Sequence, residues 1–384
     1  MRFRTFLLEG GNAAVNGFNA SPIPISGENF IPRGEFRDLV VDAIRDMNDK
    51  FEAEYNEPLY KDFNVVAQGK AFAGSTGAFI DPSISDEAYT AKKPLIGDID
   101  LQVNKMYAEP LKEFLTKNTK KKFGRLKFMG FQDGGLQLMS VWGFPPKYKN
   151  IPKYFQVDLE LVNFKGTGPT DISLFMRSSA WEDIQHNIKG VLHKFLLQSL
   201  TVTDERFFII NKRGLNKVEK GEPLTDKDFS KKIGNKTMVL GPEGIREKYI
   251  MVLDKKKKPI VFNNQKVFKE LTTKESKMIT DMRVVFELVT KKKANPGYIK
   301  AFGSFVGILS LLKRFKTPSK LVRGYILNFA HSMWDSKMKA GKTKAEDLEI
   351  KGAGWNEIKN SFPKEWASVE KEIVKMRKGF YERF

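Results

Sequence analysis

Gly97-Asp98-Ile99-Asp100-Leu101 and, further along, Tyr154-Phe155-Gln156-Val157-Asp158-Leu159-Glu160-Leu161 are the stretches on which the fold of this chain turns. Acids one residue apart on a strand point to the same face, because side chains alternate with period two. Asp98 and Asp100 therefore form one pair, and Asp158 and Glu160 another on a second strand. Carboxylates held side by side repel one another, and a divalent cation between them relieves that repulsion. A third carboxylate from a neighbouring strand completes an oxygen cage suited to Mg²⁺ or Mn²⁺. Upstream, Gly74-Ser75 reads as a turn that can offer backbone N–H groups and a hydroxyl to phosphate oxygens.

These residues resemble the nucleotidyltransferase superfamily typified by DNA polymerase β. Its pattern is a Gly-Ser turn, two acids flanking an apolar residue, and a third acid on a later strand. Gly74 and Ser75 match the turn, Asp98 and Asp100 the paired acids, and Asp158 the third, within residues 61–165. Glu160 is the alternative third ligand, ranked behind Asp158. Ser75 and Asp98 lie 23 residues apart, about double the family's usual interval, and the segment between them reads as an inserted loop on its proline, serine and charge content. The resemblance implies two metal ions held by Asp98, Asp100 and Asp158. In such sites ions about 3.5–4 Å apart stabilise the entering and leaving oxygens of an in-line displacement. The implied reaction is transfer of a nucleoside monophosphate from a nucleoside triphosphate, such as ATP, to an acceptor hydroxyl, with release of pyrophosphate. Lys70, on a strand expected over 65–72, and Arg177, just before a helix capped at Ser178-Ser179, are further candidates for binding the nucleotide.

The 384 residues include no cysteine, which excludes disulfide frameworks, thiolate metal sites and cysteine nucleophiles. A hydrophobic fraction of 41% with 31 phenylalanines marks a folded chain, not a disordered one. No apolar run approaches the ~20 residues that span a bilayer, so a soluble, cytoplasmic protein is expected. The lysine-rich, cysteine-free character has the flavour of a bacteriophage protein, which would place it in the host cytoplasm. The net charge of +20 is unevenly spread: residues 1–200 carry +1 and residues 201–384 carry +19. Such asymmetry points to a polyanionic partner held by the second half.

Hydrophobic periodicity organises the rest. Phe36, Leu39, Val40, Ala43, Ile44, Met47 and Phe51 recur at helical spacing. Residues 96–103 and 154–162 read as strands, 107–118 as a helix, and 123–132 with 135–143 as a hairpin turning on Asp133-Gly134-Gly135. The expected class is α+β: a nucleotidyltransferase-type mixed sheet with flanking helices over 1–200, a small β-rich element over 201–265, and a basic helical domain over 266–384. In the last, Lys313, Arg314, Lys316, Lys320 and Arg323 form a strip that could contact phosphates, while the interleaved aromatics read mostly as core. A nucleic-acid end, an RNA or transfer RNA, is the favoured acceptor. Two alternatives remain open at this level: nucleotidylation of a protein or small molecule, and a non-catalytic nucleic-acid-binding or virion protein with a decayed site. Glu9-Gly10-Gly11-Asn12 reads as a turn, His186 and His193 as structural or exposed, and Gly341-Lys342-Thr343 lacks the first glycine of a phosphate-binding P-loop.

Overall fold

The computed structural model describes residues 13–170, 190–241, 244–272, 274–276, 278–339 and 353–381. The expectations placed on Glu9 to Asn12, Arg177, the Ser178-Ser179 cap, His186 and Gly341 to Thr343 lie outside the described residues. Two compact units divide at Gly190/Val191, and both mix helix and strand, as expected for an α+β chain.

In the first unit a five-stranded mixed sheet runs in the order β5 (Asp98–Asn104), β9 (Tyr154–Val162), β8 (Gln137–Gly143), β7 (Leu126–Asp133), β6 (Lys122–Phe123). Strands β5 and β9 are parallel and the remaining pairs antiparallel. Ile99, Leu101 and Val103 on β5 pair in register with Val157, Leu159 and Leu161 on β9, and all six are buried. Helix α1 (Arg33–Tyr55) lays Phe36, Leu39, Val40, Ala43, Met47 and Phe51 on this apolar face, and the two sets share one core. Helix α5 (Ala108–Lys117) adds Leu111, Phe114 and Leu115. With that face committed to the core, period two sends Asp98, Asp100 and Gln102, and beside them Gln156, Asp158 and Glu160, to the other face. The β7–β8 turn forms where the sequence places it: Gly135 adopts φ +87° and its N–H donates to Asp133 Oδ1 at 2.7 Å.

In the first unit two expectations are corrected. Residues 65–72 are not a strand. Asn64–Ala67 is a single helical turn, α2, and the chain then turns through Gly69 at φ +75°. The β-branched pair Val65-Val66 suggested a strand, but the Asp62 carboxylate accepts from Asn64 N–H at 3.0 Å and starts a helical turn instead. Nor is the segment between Ser75 and Asp98 an open loop. Helices α3 (Gly74–Ile80) and α4 (Asp86–Thr90) fold within it and bury Phe79, Ile80 and Tyr89. Arg33, itself buried, holds the segment down. Its Nε donates to Phe79 O at 3.0 Å. Nη1 donates to Ile84 O at 2.6 Å and Asp86 Oδ1 at 2.8 Å, and Nη2 to Ala78 O and Asp81 O, each at 2.8 Å.

A short hairpin, β1 (Ala14–Val15) and β2 (Phe18–Asn19), turns on Asn16-Gly17, both at positive φ. That dipeptide is a strong hairpin signal in the sequence.

In the second unit β12 (Val202–Ile210) lies between antiparallel β13 (Phe229–Lys236) and parallel β18 (Gln265–Glu270), with β16 (Tyr249–Met251) beyond. A separate sheet joins β14 (Met238–Gly241), β15 (Gly244–Glu247) and β19 (Met278–Ile279). Strands thus continue past residue 265, and the helical run begins at Met282. There Phe305, Phe329, Trp334, Trp355 and Trp366 are buried, as their helical spacing suggests. His193 is also buried, its Nε2 3.4 Å from Phe302 O. Among the described residues no helix is long and apolar enough to cross a membrane.

Candidate active site

The parallel register of β5 and β9 sets Asp100 directly opposite Asp158, Asp98 opposite Gln156 and Gln102 opposite Glu160. Asp98, Asp100 and Asp158 each bring a carboxylate oxygen to within 4.8 Å of the others, and among the described residues no other group of three such side chains comes together. Asp158 is buried, while Asp98 and Asp100 are half-buried at the edge strand.

Gln156 Nε2 donates to Asp158 Oδ1 at 2.8 Å, and Gln156 Oε1 accepts from Ala13 N–H at 3.0 Å, so the side chain that orients Asp158 is itself fixed. Glu160 accepts from Gln102 Nε2 at 3.2 Å, one register row beyond the acid cluster. It therefore adds negative charge beside the cluster without joining it.

The charges show in the proton affinities. Burial raises the Asp98 carboxyl above its usual range against the pull of Lys93. Asp100 is raised as well, first by burial and then by Asp98, Glu160 and Asp158. Burial, together with Asp98 and Glu160, pushes Asp158 up to about 7 despite hydrogen bonds from Gln156 and Gln137. Three desolvated, mutually repelling carboxylates with only oxygen donors form a site whose charge a hard divalent cation would neutralise. The residues present fit such an ion.

The Gly-Ser element is tied to the acids through the backbone. Ala73 N–H donates to Asp100 O at 3.1 Å, Gln102 N–H donates to Ala71 O at 2.8 Å, and Phe72 bridges to Leu101. Residues 71–73 thus act as a short antiparallel neighbour on the open edge of β5. Gly74 then enters α3 at φ +52°, a conformation suited to glycine, and Thr76 Oγ1 accepts from Asp100 N–H at 3.4 Å.

Ser75 is paired with a residue that sequence reasoning passed over. Lys93 Nζ donates to Ser75 Oγ at 2.6 Å, and the Tyr89 hydroxyl donates to Ser75 O at 3.1 Å. Burial lowers the Lys93 ammonium's proton affinity, while Asp98 and Asp100 raise it, which sets this cation within electrostatic reach of both acids. Lys92-Lys93 looks in the sequence like an ordinary charged turn, and only the fold of the inserted segment returns it to Ser75. Lys70, by contrast, is exposed on the turn before Ala71.

Comparison of the chain with family models, with curated proteins and with solved structures finds no match.

Proposed function

We propose that this protein transfers a nucleoside monophosphate from a nucleoside triphosphate to an acceptor hydroxyl with release of pyrophosphate. The observation that carries the reading is the convergence of Asp98, Asp100 and Asp158 to within 4.8 Å across two parallel strands. Divalent cations bound there, Mg²⁺ or Mn²⁺, would acidify the attacking hydroxyl and neutralise charge on the leaving pyrophosphate. In the reaction the acceptor oxygen bonds to the α-phosphorus, the bond from that phosphorus to the bridging oxygen breaks, and the hydroxyl proton is released. Asp98 and Asp100 would hold both cations, and Asp158, oriented by Gln156, would help hold the one that activates the acceptor hydroxyl. Ser75 and Lys93 receive the outer phosphates, the ammonium leaving the serine hydroxyl for a phosphate oxygen of greater charge.

Lys93→Met is expected to lower kcat/KM by about 10- to 100-fold, the equivalent of one charge-assisted hydrogen bond at ~1.5–3 kcal/mol, with the loss concentrated in triphosphate affinity. Steady-state kinetics at varied triphosphate check this; an unchanged KM would remove Lys93 from the phosphate site.

The favoured acceptor is a nucleic-acid end, an RNA or transfer RNA. Support comes from the charge of +19 on residues 201–384 and from the exposure of Lys313, Arg314, Lys316, Lys320 and Arg323 around the turn between α10 (Phe305–Arg314) and α11 (Ser319–Lys339). Replacing Lys313, Arg314 and Lys316 together with glutamine is expected to weaken RNA binding and to flatten the slope of log K against log salt by up to about 2–3, near one for each phosphate no longer neutralised. An unchanged slope would place the RNA surface elsewhere. The activity itself is tested by incubating the chain with Mg²⁺ or Mn²⁺, each α-labelled triphosphate and a mixed RNA pool. Label on RNA supports the reading, and label on protein would instead assign a protein acceptor.

A further inference from the structure

The second unit contains a cleft of about 520 Å³ that the proposed transfer reaction does not use. It opens where two parallel strands end together: β12 ends at Ile210 and β18 at Glu270, with Ile210 paired to Lys269. The volume lies within the ~300–1,000 Å³ of small-molecule sites.

The lining has a definite chemistry. Four cations, Lys212, Arg246, Lys248 and Lys269, face two acids, Glu247 and Glu270. Lys248 and Lys269 form long ion pairs, at 3.5 Å to Glu270 and 3.4 Å to Glu275, and the Lys248 ammonium also lies over the Tyr249 ring. Arg246 is half-buried and makes no ion pair among the described residues. A guanidinium withdrawn from water without a carboxylate is a recognition group for a bidentate anion. Ser276 Oγ, also on the cleft wall, is buried without a hydrogen-bond partner among the described residues, a donor that a phosphate oxygen would satisfy. Ile210, Leu215 and Leu271 add an apolar part to the lining, suited to a flat ring.

We infer that this cleft binds a phosphorylated nucleotide, its phosphates on Arg246, Lys212 and Ser276 and its base over the apolar lining. The cleft is lined by residues of the second unit alone, and the inference stands whether or not the Asp98–Asp100–Asp158 cluster is catalytic. The ligand chemistry could come from a free nucleotide or from the 5′-phosphorylated end of an RNA.

The test is calorimetric titration of the full chain in EDTA, with ADP as probe. Binding of ADP but not adenosine is expected, weakened at least tenfold in Arg246→Gln and also weakened in Lys212→Gln, yet unchanged in Asp98→Asn/Asp100→Asn. Competition by a 5′-phosphorylated ten-nucleotide RNA over its 5′-hydroxyl counterpart would assign the RNA end as the source; equal weakness of both RNAs would assign the free nucleotide. Absence of ADP binding, equal affinity for adenosine, wild-type affinity in both basic-residue variants, or loss of binding in the double aspartate variant would each overturn the inference.

Discussion

Asp100→Asn is expected to reduce nucleotidyl transfer by about 100- to 1,000-fold, corresponding to ~3–4 kcal/mol of transition-state stabilisation, while leaving the protein folded. The stability effect should have the opposite sign to the catalytic one. Asp100 is desolvated and repelled by Asp98, Glu160 and Asp158, so the neutral isostere removes an unfavourable charge and should raise the metal-free Tm. The same substitution should abolish the increase in Tm that Mn²⁺ gives the wild type.

The pH dependence of that increase follows from Asp158. Its carboxyl titrates near 7 in the folded chain, against about 4 when unfolded. Between these values the folded state holds a proton that the unfolded state has released. The apo fold therefore loses stability from this group as pH rises through 7. A cation binds the deprotonated form, so stabilisation by Mn²⁺ should be larger at pH 8 than at pH 5.5. Differential scanning fluorimetry of wild type and variant across that range is the check. Wild-type activity in Asp100→Asn, or equal Mn²⁺ shifts in both proteins, would remove Asp100 from the site.

Arg33→Met should destabilise the first unit by about 3–5 kcal/mol, because several carbonyls lose their donor at ~1–3 kcal/mol for each left buried and unsatisfied, while the half-exposed Asp86 adds less. In a unit of this size that is a fall in Tm of roughly 10 °C. The physical reason is the completeness of its bonding. Every guanidinium N–H is directed at an acceptor, four of them backbone carbonyls between Ala78 and Ile84 and the fifth Asp86. Methionine fills the volume but leaves those carbonyls without donors. Arg33→Lys should recover little, because a point ammonium cannot reproduce the planar fork. The released segment carries Lys93, so the effect should extend to the site as faster proteolysis between residues 81 and 97. A Tm within about 2 °C of wild type would show that other interactions hold the segment.

Much of the site is legible in the sequence because it depends on a local rule. Alternation along a strand puts Asp98 with Asp100, and Asp158 with Glu160, whatever the rest of the chain does. The α1 stripe and the Asp133-Gly134-Gly135 turn are legible for the same reason: their signals lie within a few residues of one another. The inserted segment is different. Its serines, prolines and charges have the composition of a loop, and its order comes from Arg33, 45 to 53 residues earlier in the chain. Composition reports how readily a segment is solvated, and says nothing about a distant guanidinium that satisfies its carbonyls.

The sequence by itself determined the mixed α+β class, the two acid-bearing strands, the face each acid occupies and the concentration of positive charge in residues 201–384. Only the tertiary structure decided that β5 and β9 are parallel neighbours in a register that sets Asp100 against Asp158 rather than Glu160. It also decided that Lys93 returns to Ser75, and that two strand ends in the second unit enclose a cation-lined cleft. Side-chain alternation is a property of one strand. Register and long-range pairing depend on how two strands, and the segments between them, share one core, and only the folded chain specifies that.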